Sequence, residues 1–362
     1  MWRGAARGPA RRAAGLGLLV LQLLAAAPAA GGEAGLGHKL AMLARGLCQM
    51  ALSSEGRGAR DLAREPDARL LEGWETETRT VVFVRHGEST WNEIFNRGTG
   101  LQRFLWMPLR LARGVATEAM VLLRPESTFI DSPLSHRGIQ QAVAVREALR
   151  AAGDDHALLA EVLLAPGALP NATSVIVSSN LQRAVETITL ALADRLADSG
   201  EPIYIRSELQ EISRNLDAVA LAPPLRYQPS PRTAVIKALD GADLDFAGLY
   251  CAEGNRGNKA VLGHPRHRLE RFAAFCFGDP SVQGLPSLRS TRNATVIVAG
   301  HSLWFRTFFR MYIDKEVRHK AKDSKLSNAG VVSFTLERAA LGGRMVYRIP
   351  PDSIRLLHGH FL

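Results

Sequence analysis

Apolar residues come in short unbroken runs along this chain, separated by longer stretches of mixed polarity. The clearest run is Val81-Val82-Phe83-Val84, bounded by Arg79 on one side and by Arg85-His86-Gly87 on the other. β-Branched and aromatic side chains in an unbroken row predict a buried strand. Similar runs predict strands over 174–178, 203–205 and 295–299. A closing pair over 331–336 and 346–349 is joined across Gly342-Gly343. Segments of helical length lie between them, near 137–151, 181–196, 266–277 and 303–312. Strands alternating with helices predict an α/β fold, a three-layer α/β/α sandwich with a mostly parallel central sheet.

The alternation breaks twice. Residues 97–130 hold Phe104-Leu105-Trp106-Met107-Pro108-Leu109 and Ala119-Met120-Val121-Leu122-Leu123, punctuated by Arg97, Arg103, Arg110 and Arg113. A basic amphipathic stretch either lies on a membrane surface or packs its apolar face onto its own domain. The second is the expectation here, with a part in shaping the entrance to a pocket. Residues 215–263 contain Pro223-Pro224, Pro229, Pro231 and Gly254-Asn255-Arg256-Gly257-Asn258-Lys259, which predicts a loop-rich cap insertion. The chain thus divides into a leader over 1–30, a linker with a peripheral helix over 31–78, and one domain over 79–350 carrying both insertions.

Composition narrows the function classes. Of 362 residues, 46% are hydrophobic and 22% charged, the balance of an ordinary globular protein. The formal net charge is +10, but Arg3, Arg7, Arg11 and Arg12 fall in a leader with no acid before Glu33. The remaining 41 basic against 35 acidic residues leave about +6, which suits an anionic substrate. With aromatics at 6% and no nucleic-acid-binding motif, nucleic acid is not an expected partner. After its basic start the leader runs through an Ala/Leu/Val core over 13–26 to Ala27-Pro28-Ala29-Ala30-Gly31, the shape of a secretory signal peptide. An uncleaved membrane anchor and an organelle-targeting peptide are the alternatives. Membrane contact would then involve residues 13–27 or 97–123. Cys48, Cys251 and Cys276 allow one disulfide, Cys251 to Cys276, or three single thiols. Asn171-Ala172-Thr173 and Asn293-Ala294-Thr295 fit the glycosylation sequon. Nothing in the chain sets an oligomeric state.

Charged chemistry is concentrated where the predicted strands end. Open α/β sheets bind ligands at their carboxyl edge, and the run over 81–84 delivers Arg85-His86-Gly87 to that edge. A neutral imidazole can attack a phosphorus atom, and a guanidinium can hold phosphoryl oxygens in a bidentate fork.

Arg85-His86-Gly87-Glu88-Ser89-Thr90-Trp91-Asn92 resembles the signature of the histidine phosphatase (phosphoglycerate mutase-like) superfamily. Three further segments resemble that family in the expected order. They are Asp131-Ser132-Pro133-Leu134-Ser135 with Gly138 and Gln141-Ala142, then Ser178-Ser179-Asn180-Leu181-Gln182-Arg183-Ala184 with Thr187, and then Gly300-His301-Ser302. The resemblance covers about residues 79–340. It implies a catalytic domain in which His86 is the nucleophile and Arg85, Asn92, Arg183 and His301 bind phosphate. The family pattern of Leu, one residue, then Glu matches Leu209-Gln210-Glu211 and selects Glu211 as proton donor, with Glu208 and then Glu88 as alternatives. Ser302 after the second histidine points to the mutase and small-phosphatase branch. Ile212-Ser213-Arg214-Asn215 and the long segment 215–263 depart from the glycolytic mutases.

The implied activity is metal-independent hydrolysis of a phosphomonoester, on a phosphorylated small molecule or a phosphoprotein. Mutase-type phosphotransfer and an inactive phosphate-ligand binding protein are the alternatives. His264 and His267 sit in a loop without an acidic partner and read as structural. The remaining histidines form no metal constellation, so neither metal nor cofactor is expected.

Overall fold

The computed structural model describes residues 36–62, 74–98, 100–151, 174–227, 232–291 and 294–362. The leader over 1–30, Asn171, Asn293, Pro229 and Pro231 lie outside the described residues.

Eight strands form one sheet: β1 (Glu77–Arg85), β2 (Ser174–Ser179), β3 (Ile203–Arg206), β4 (Tyr250–Cys251), β5 (Thr295–Gly300), β6 (Val331–Leu341), β7 (Arg344–Arg348) and β8 (Arg355–His358). Their order is β4-β3-β2-β5-β1-β6-β7, with β8 also on β6. Pairings from β4 through to β1 are parallel, whereas β6 runs antiparallel to β1, β7 and β8. The described helices are α1 (Leu36–Leu52), α2 (Glu55–Leu62), α3 (Thr90–Phe95), α4 (Gly100–Met120), α5 (His136–Ala151), α6 (Gln182–Ala191), α7 (Ala193–Ser199), α8 (Thr233–Ala238), α9 (Arg266–Cys276), α10 (Pro286–Ser290), α11 (Ser302–Tyr312) and α12 (Lys320–Asp323).

Two core layers explain why the central strands are apolar at every position instead of every second one. Val81 and Phe83 face one layer with Phe272, Phe275, Trp304 and Phe308 from α9 and α11. Val82 and Val84 face the other with Val145, Val185 and Ile188 from α5 and α6. Successive side chains of a strand point to opposite faces, so a strand covered on both must be apolar throughout. Each such side chain stabilises the fold by roughly 1.5–3 kcal/mol. Phe83 stacks on Phe305 with ring centroids 4.0 Å apart, fixing α11 over the end of β1.

Several expectations need correction. The helix predicted over 181–196 is two helices, because Leu192 (φ −112°, ψ 23°) leaves helical geometry between α6 and α7. All three cysteines are free thiols. Cys276 is buried in the α9 layer, while Cys251 lies in β4 at the end of the sheet, so of the two alternatives single thiols hold.

The insertion over 97–130 folds as α4 and its flanks, but not with its apolar face inward. Arg103 Nε donates to the Phe95 carbonyl at 2.6 Å, Arg110 Nη1 donates to the Arg97 carbonyl at 2.8 Å, and Gly114 is buried. Beneath α4 lies the end of α3, whose last carbonyls lack helical partners and take arginine donors. Phe104, Leu105, Trp106, Leu109, Val115 and Met120 are left exposed.

The segment 215–263 is loop-rich, with a 3₁₀ turn over Leu216–Ala218, the short α8 and the two-residue β4. Its Ala218, Val219 and Ala220 are buried, which sets Asp217 against α6.

Candidate active site

Parallel register brings the two motif histidines together. Arg85 pairs with Gly300 at the ends of β1 and β5, and the His86 N–H donates to the Gly300 carbonyl at 3.0 Å. His86 and His301 are thus the first residues past adjacent parallel strands. Their rings lie 5.1 Å apart with planes inclined by 54°. β2, on the other side of β5, ends in Ser178-Ser179 and contributes Ser179 Oγ, 2.9 Å from His301 Nε2.

The loop after His86 has its shape imposed by close contact. A Cβ on Gly138 would fall 2.0 Å from the Glu88 carbonyl oxygen, and one on Gly87 would fall 2.6 Å from the Gly138 carbonyl oxygen. Only glycines allow the loop and α5 to approach this closely. The Gly87 N–H donates to Thr187 Oγ1 at 3.0 Å, and that hydroxyl donates to the Arg183 carbonyl at 2.7 Å. Thr187 therefore locks the histidine loop to the helix that carries Arg183. The His86 carbonyl accepts from Asn328 Nδ2 at 3.2 Å and from the Ala329 N–H at 3.3 Å.

Hydrogen bonding assigns the atom that can react. His86 Nδ1 lies 2.6 Å from the Gly87 carbonyl, which can only accept. Nδ1 therefore carries the proton and Nε2 keeps its lone pair. Burial, then the charges of Arg183 and Arg85, hold His86 well below the ordinary histidine value. His301 is fully buried and is held down by the same burial, by Arg183 and by His86. Both imidazoles are uncharged at neutral pH.

Two buried guanidiniums flank them. Arg85 donates through Nη1 to the Leu326 carbonyl, and burial pulls it down to about 10 while Glu211 opposes that shift. Arg183 donates through Nη1 to the Asp217 carbonyl at 2.7 Å, and its Nη2 lies 3.5 Å from Asp217 Oδ2. Arg85 Nε, Arg183 Nε and His301 Nδ1 are buried with no partner among the described residues. Buried donors are costly unless something accepts from them, and phosphoryl oxygens are acceptors with several lone pairs.

Glu211 lies at the start of α11. Its Oε1 accepts from the N–H groups of Ile212 at 2.8 Å and Trp304 at 2.9 Å, and its Oε2 accepts a longer 3.4 Å bond from Leu303. The carboxyl is held by one oxygen, with the other less occupied. Glu208 is turned away, its Oε1 3.1 Å from both Arg206 and Arg271. Glu88 accepts from Ser135 Oγ at 2.9 Å. Asn92 sits half-buried on α3, its Oδ1 accepting from Asn96 at 2.8 Å, so its side-chain oxygen is engaged away from the histidines.

Asp217 and Lys325 carry no signal in the sequence that marks them as site residues, and Ser179 lies within a motif segment that assigns it no role. Lys325 is lowered by burial and by the neighbouring charges of Arg85 and Arg306. Asp131 is fully buried, with Oδ1 accepting from Gln182 N at 2.7 Å and Oδ2 from Leu221 N at 2.9 Å, so it ties the start of α6 to the cap. Burial pushes it up to about 6 against those hydrogen bonds. A cleft of about 470 Å³ opens beside α3, with Thr90 of that helix and Arg110, Arg113 and Arg124 of the insertion among its lining.

No protein-family model matches the sequence, and no curated protein matches it. Among solved structures, the chain is similar to a mycobacterial glucosyl-3-phosphoglycerate phosphatase in complex with VO3. That match has 18% identity over 75% of this chain and 98% of the other, with a TM-score of 0.32. It is also similar to a phosphoserine phosphatase from Entamoeba histolytica in complex with 3-phosphoglyceric acid (16% identity, 74% and 94% coverage, TM-score 0.30). A phosphoglycerate mutase from Bacillus anthracis matches at 16% identity, 76% and 93% coverage, and a TM-score of 0.34.

Proposed function

We propose that this chain is a phosphoryl-transfer enzyme of the histidine phosphatase superfamily, a phosphomonoester hydrolase working through phosphorylated His86. One observation carries the reading. Two buried, uncharged imidazoles lie 5.1 Å apart at the ends of adjacent parallel strands, with the charges of Arg85 and Arg183 acting on both. A phosphomonoester is dianionic, so cations that bind its oxygens also keep the attacking imidazole neutral and nucleophilic.

In the proposed reaction His86 Nε2 attacks phosphorus. Arg85, Arg183 and His301 hold the equatorial oxygens, with Asn92 Nδ2 a further donor while its Oδ1 accepts from Asn96. The P–O bond to the leaving alcohol breaks while Glu211 delivers a proton to that oxygen. Glu211 Oε1 stays bonded to backbone N–H groups and Oε2 carries the proton. Water then attacks the phosphohistidine, Glu211 takes its proton, and inorganic phosphate leaves. Ser302 opens α11, whose N-terminal dipole favours the developing negative charge. The proposed substrate is a phosphorylated small molecule. Glucosyl-3-phosphoglycerate and phosphoserine, named for the neighbours, are the first esters to try.

The test is phosphate release from a panel of phosphomonoesters in chelator, comparing the native protein with His86→Ala. Release that is lost in the variant supports the reading. No release from any ester by folded native protein overturns it. Transfer of label to a second organic acceptor instead of water would identify a mutase.

A further inference from the structure

We propose that α1 and α4 together form a face that docks in the interfacial layer of an anionic lipid bilayer, with Trp106 dipping below the headgroups. Both helices carry an outward apolar row, although Met42 and Leu43 of α1 pack partly against Ile130, Val219 and Leu221. On α1 the residues buried against the domain are Lys39, Gly46 and Gln49, whereas Leu36, Leu40 and Leu47, spaced for one helical face, are exposed. On α4 the polar groups turn inward. Arg103 caps the Phe95 carbonyl at the end of α3, Arg110 donates to the Arg97 carbonyl just beyond it, and Glu118 Oε2 accepts from the Thr128 N–H at 2.6 Å. Leu105, Leu109 and Val115 point out, flanked by Phe104 and Trp106, which are 63% and 56% exposed.

The two faces are tied together. Lys39 of α1 lies 3.3 Å from Glu118 of α4, and its ammonium also donates to the Val121 carbonyl at 2.7 Å. A water-soluble surface helix normally reverses this arrangement, and exposed apolar area of this kind marks an interaction surface.

Charge selects the occupant. Across residues 97–124 the only acid is Glu118, which is paired with Lys39. Arg103 and Arg110 turn inward and Arg97 pairs with Glu93 at 2.8 Å, so Arg113 and Arg124 are the exposed cations of this stretch. Residues 36–52 contain no acid. A second copy related by a two-fold axis would set like-charged collars against each other, whereas anionic headgroups complement them. Trp106 and Arg113, two turns apart on α4 and both exposed, supply the aromatic for the boundary and a cation for the phosphates. The apolar run over 13–26 precedes α1 by nine residues on the same chain and, where it is retained as an anchor, would bring α1 to the same surface. Among the described residues no helix is long and apolar enough to cross a membrane, so α1 and α4 would lie in the interface.

The experiment uses the full chain with phosphatidylcholine vesicles containing phosphatidylserine and a brominated lipid, and reads tryptophan quenching. The expected result is quenching whose Trp106 share, the difference between the native chain and Trp106→Phe, is large. The partition coefficient should fall roughly fivefold per arginine in Arg113→Ala and Arg124→Ala. Leu105→Ser with Val115→Ser should abolish the Trp106 quenching while leaving phosphate release and thermal unfolding unchanged, which separates docking from folding and from catalysis. Vesicle binding without Trp106 quenching would mean the leader alone attaches the chain, and would overturn the proposal. So would a concentration-dependent dimer that hides Trp106 in the absence of vesicles.

Discussion

Asp217 holds Arg183 in two ways: its carbonyl accepts from Nη1 at 2.7 Å, and its carboxylate lies 3.5 Å from Nη2. The cap therefore aims one of the two arginines that flank the histidines. In Asp217→Asn the carbonyl contact remains and the ionic one is lost, so Arg183 should be less well ordered. The expected outcome is a rise in KM of about fivefold to tenfold, in line with ~1–1.5 kcal/mol, the lower end for a polar contact as long as 3.5 Å. Steady-state kinetics on the best ester checks it, and no change in KM would show that the carboxylate does not position the arginine.

The pH dependence comes from the histidines. Only the neutral imidazole attacks, and His86 is held well below 6.5 by burial, Arg183 and Arg85. The acid limb of kcat/KM should therefore lie below pH 6.5, and Arg183→Met should move it upward by removing a cation. For stability the sign is that of a depressed folded value. The contribution of each histidine is complete above the unfolded 6.5 and is lost as pH falls towards the folded value, at up to ~1.4 kcal/mol per pH unit. Denaturant titrations between about pH 7 and pH 5 should show a shallower loss for His301→Gln than for the native protein.

Gly138 tests how tightly the nucleophile loop is packed. The Cβ of Gly138→Ala would meet the Glu88 carbonyl oxygen and backbone, which cannot rotate away. A loss of about 1–3 kcal/mol is expected, together with a fall in kcat, because the displaced loop carries His86. Denaturant midpoint and kcat measured on the same preparation decide it, and an unchanged kcat would mean the loop shifts without moving the histidine.

The proton-donor role of Glu211 predicts a dependence on the leaving group. Glu211→Gln keeps an oxygen that can accept from the Trp304 N–H but has no proton to give. The rate should fall about 100-fold or more for alkyl phosphates, which need an acid, and much less for aryl phosphates, whose leaving groups do not. Equal losses for both would mark Glu211 as a residue that only caps α11.

Much of the fold and site is legible in the sequence because strand ends announce themselves. Unbroken apolar runs locate β1 and β5, and Arg85, His86 and His301 stand directly where those runs stop. Arg183 is legible from the segment after β2. Asp217 is not, since a loop residue that meets α6 across 34 positions leaves no periodic trace. The pairing of Ser179 with His301 depends on β2 lying beside β5, a neighbour relationship that local pattern does not encode. The insertion is legible as amphipathic but not as to which side faces in. That is decided by the unsatisfied carbonyls of Phe95 and Arg97, which draw Arg103 and Arg110 inward.

The central claim is tested most directly by trapping the intermediate. Native protein is mixed with a labelled phosphomonoester, quenched within one turnover in alkali, and mapped by peptide. The predicted result is an acid-labile, base-stable phosphoryl group on His86, formed at least as fast as the steady-state turnover. Turnover with no histidine-bound phosphoryl group, or label carried on a different side chain, would contradict it.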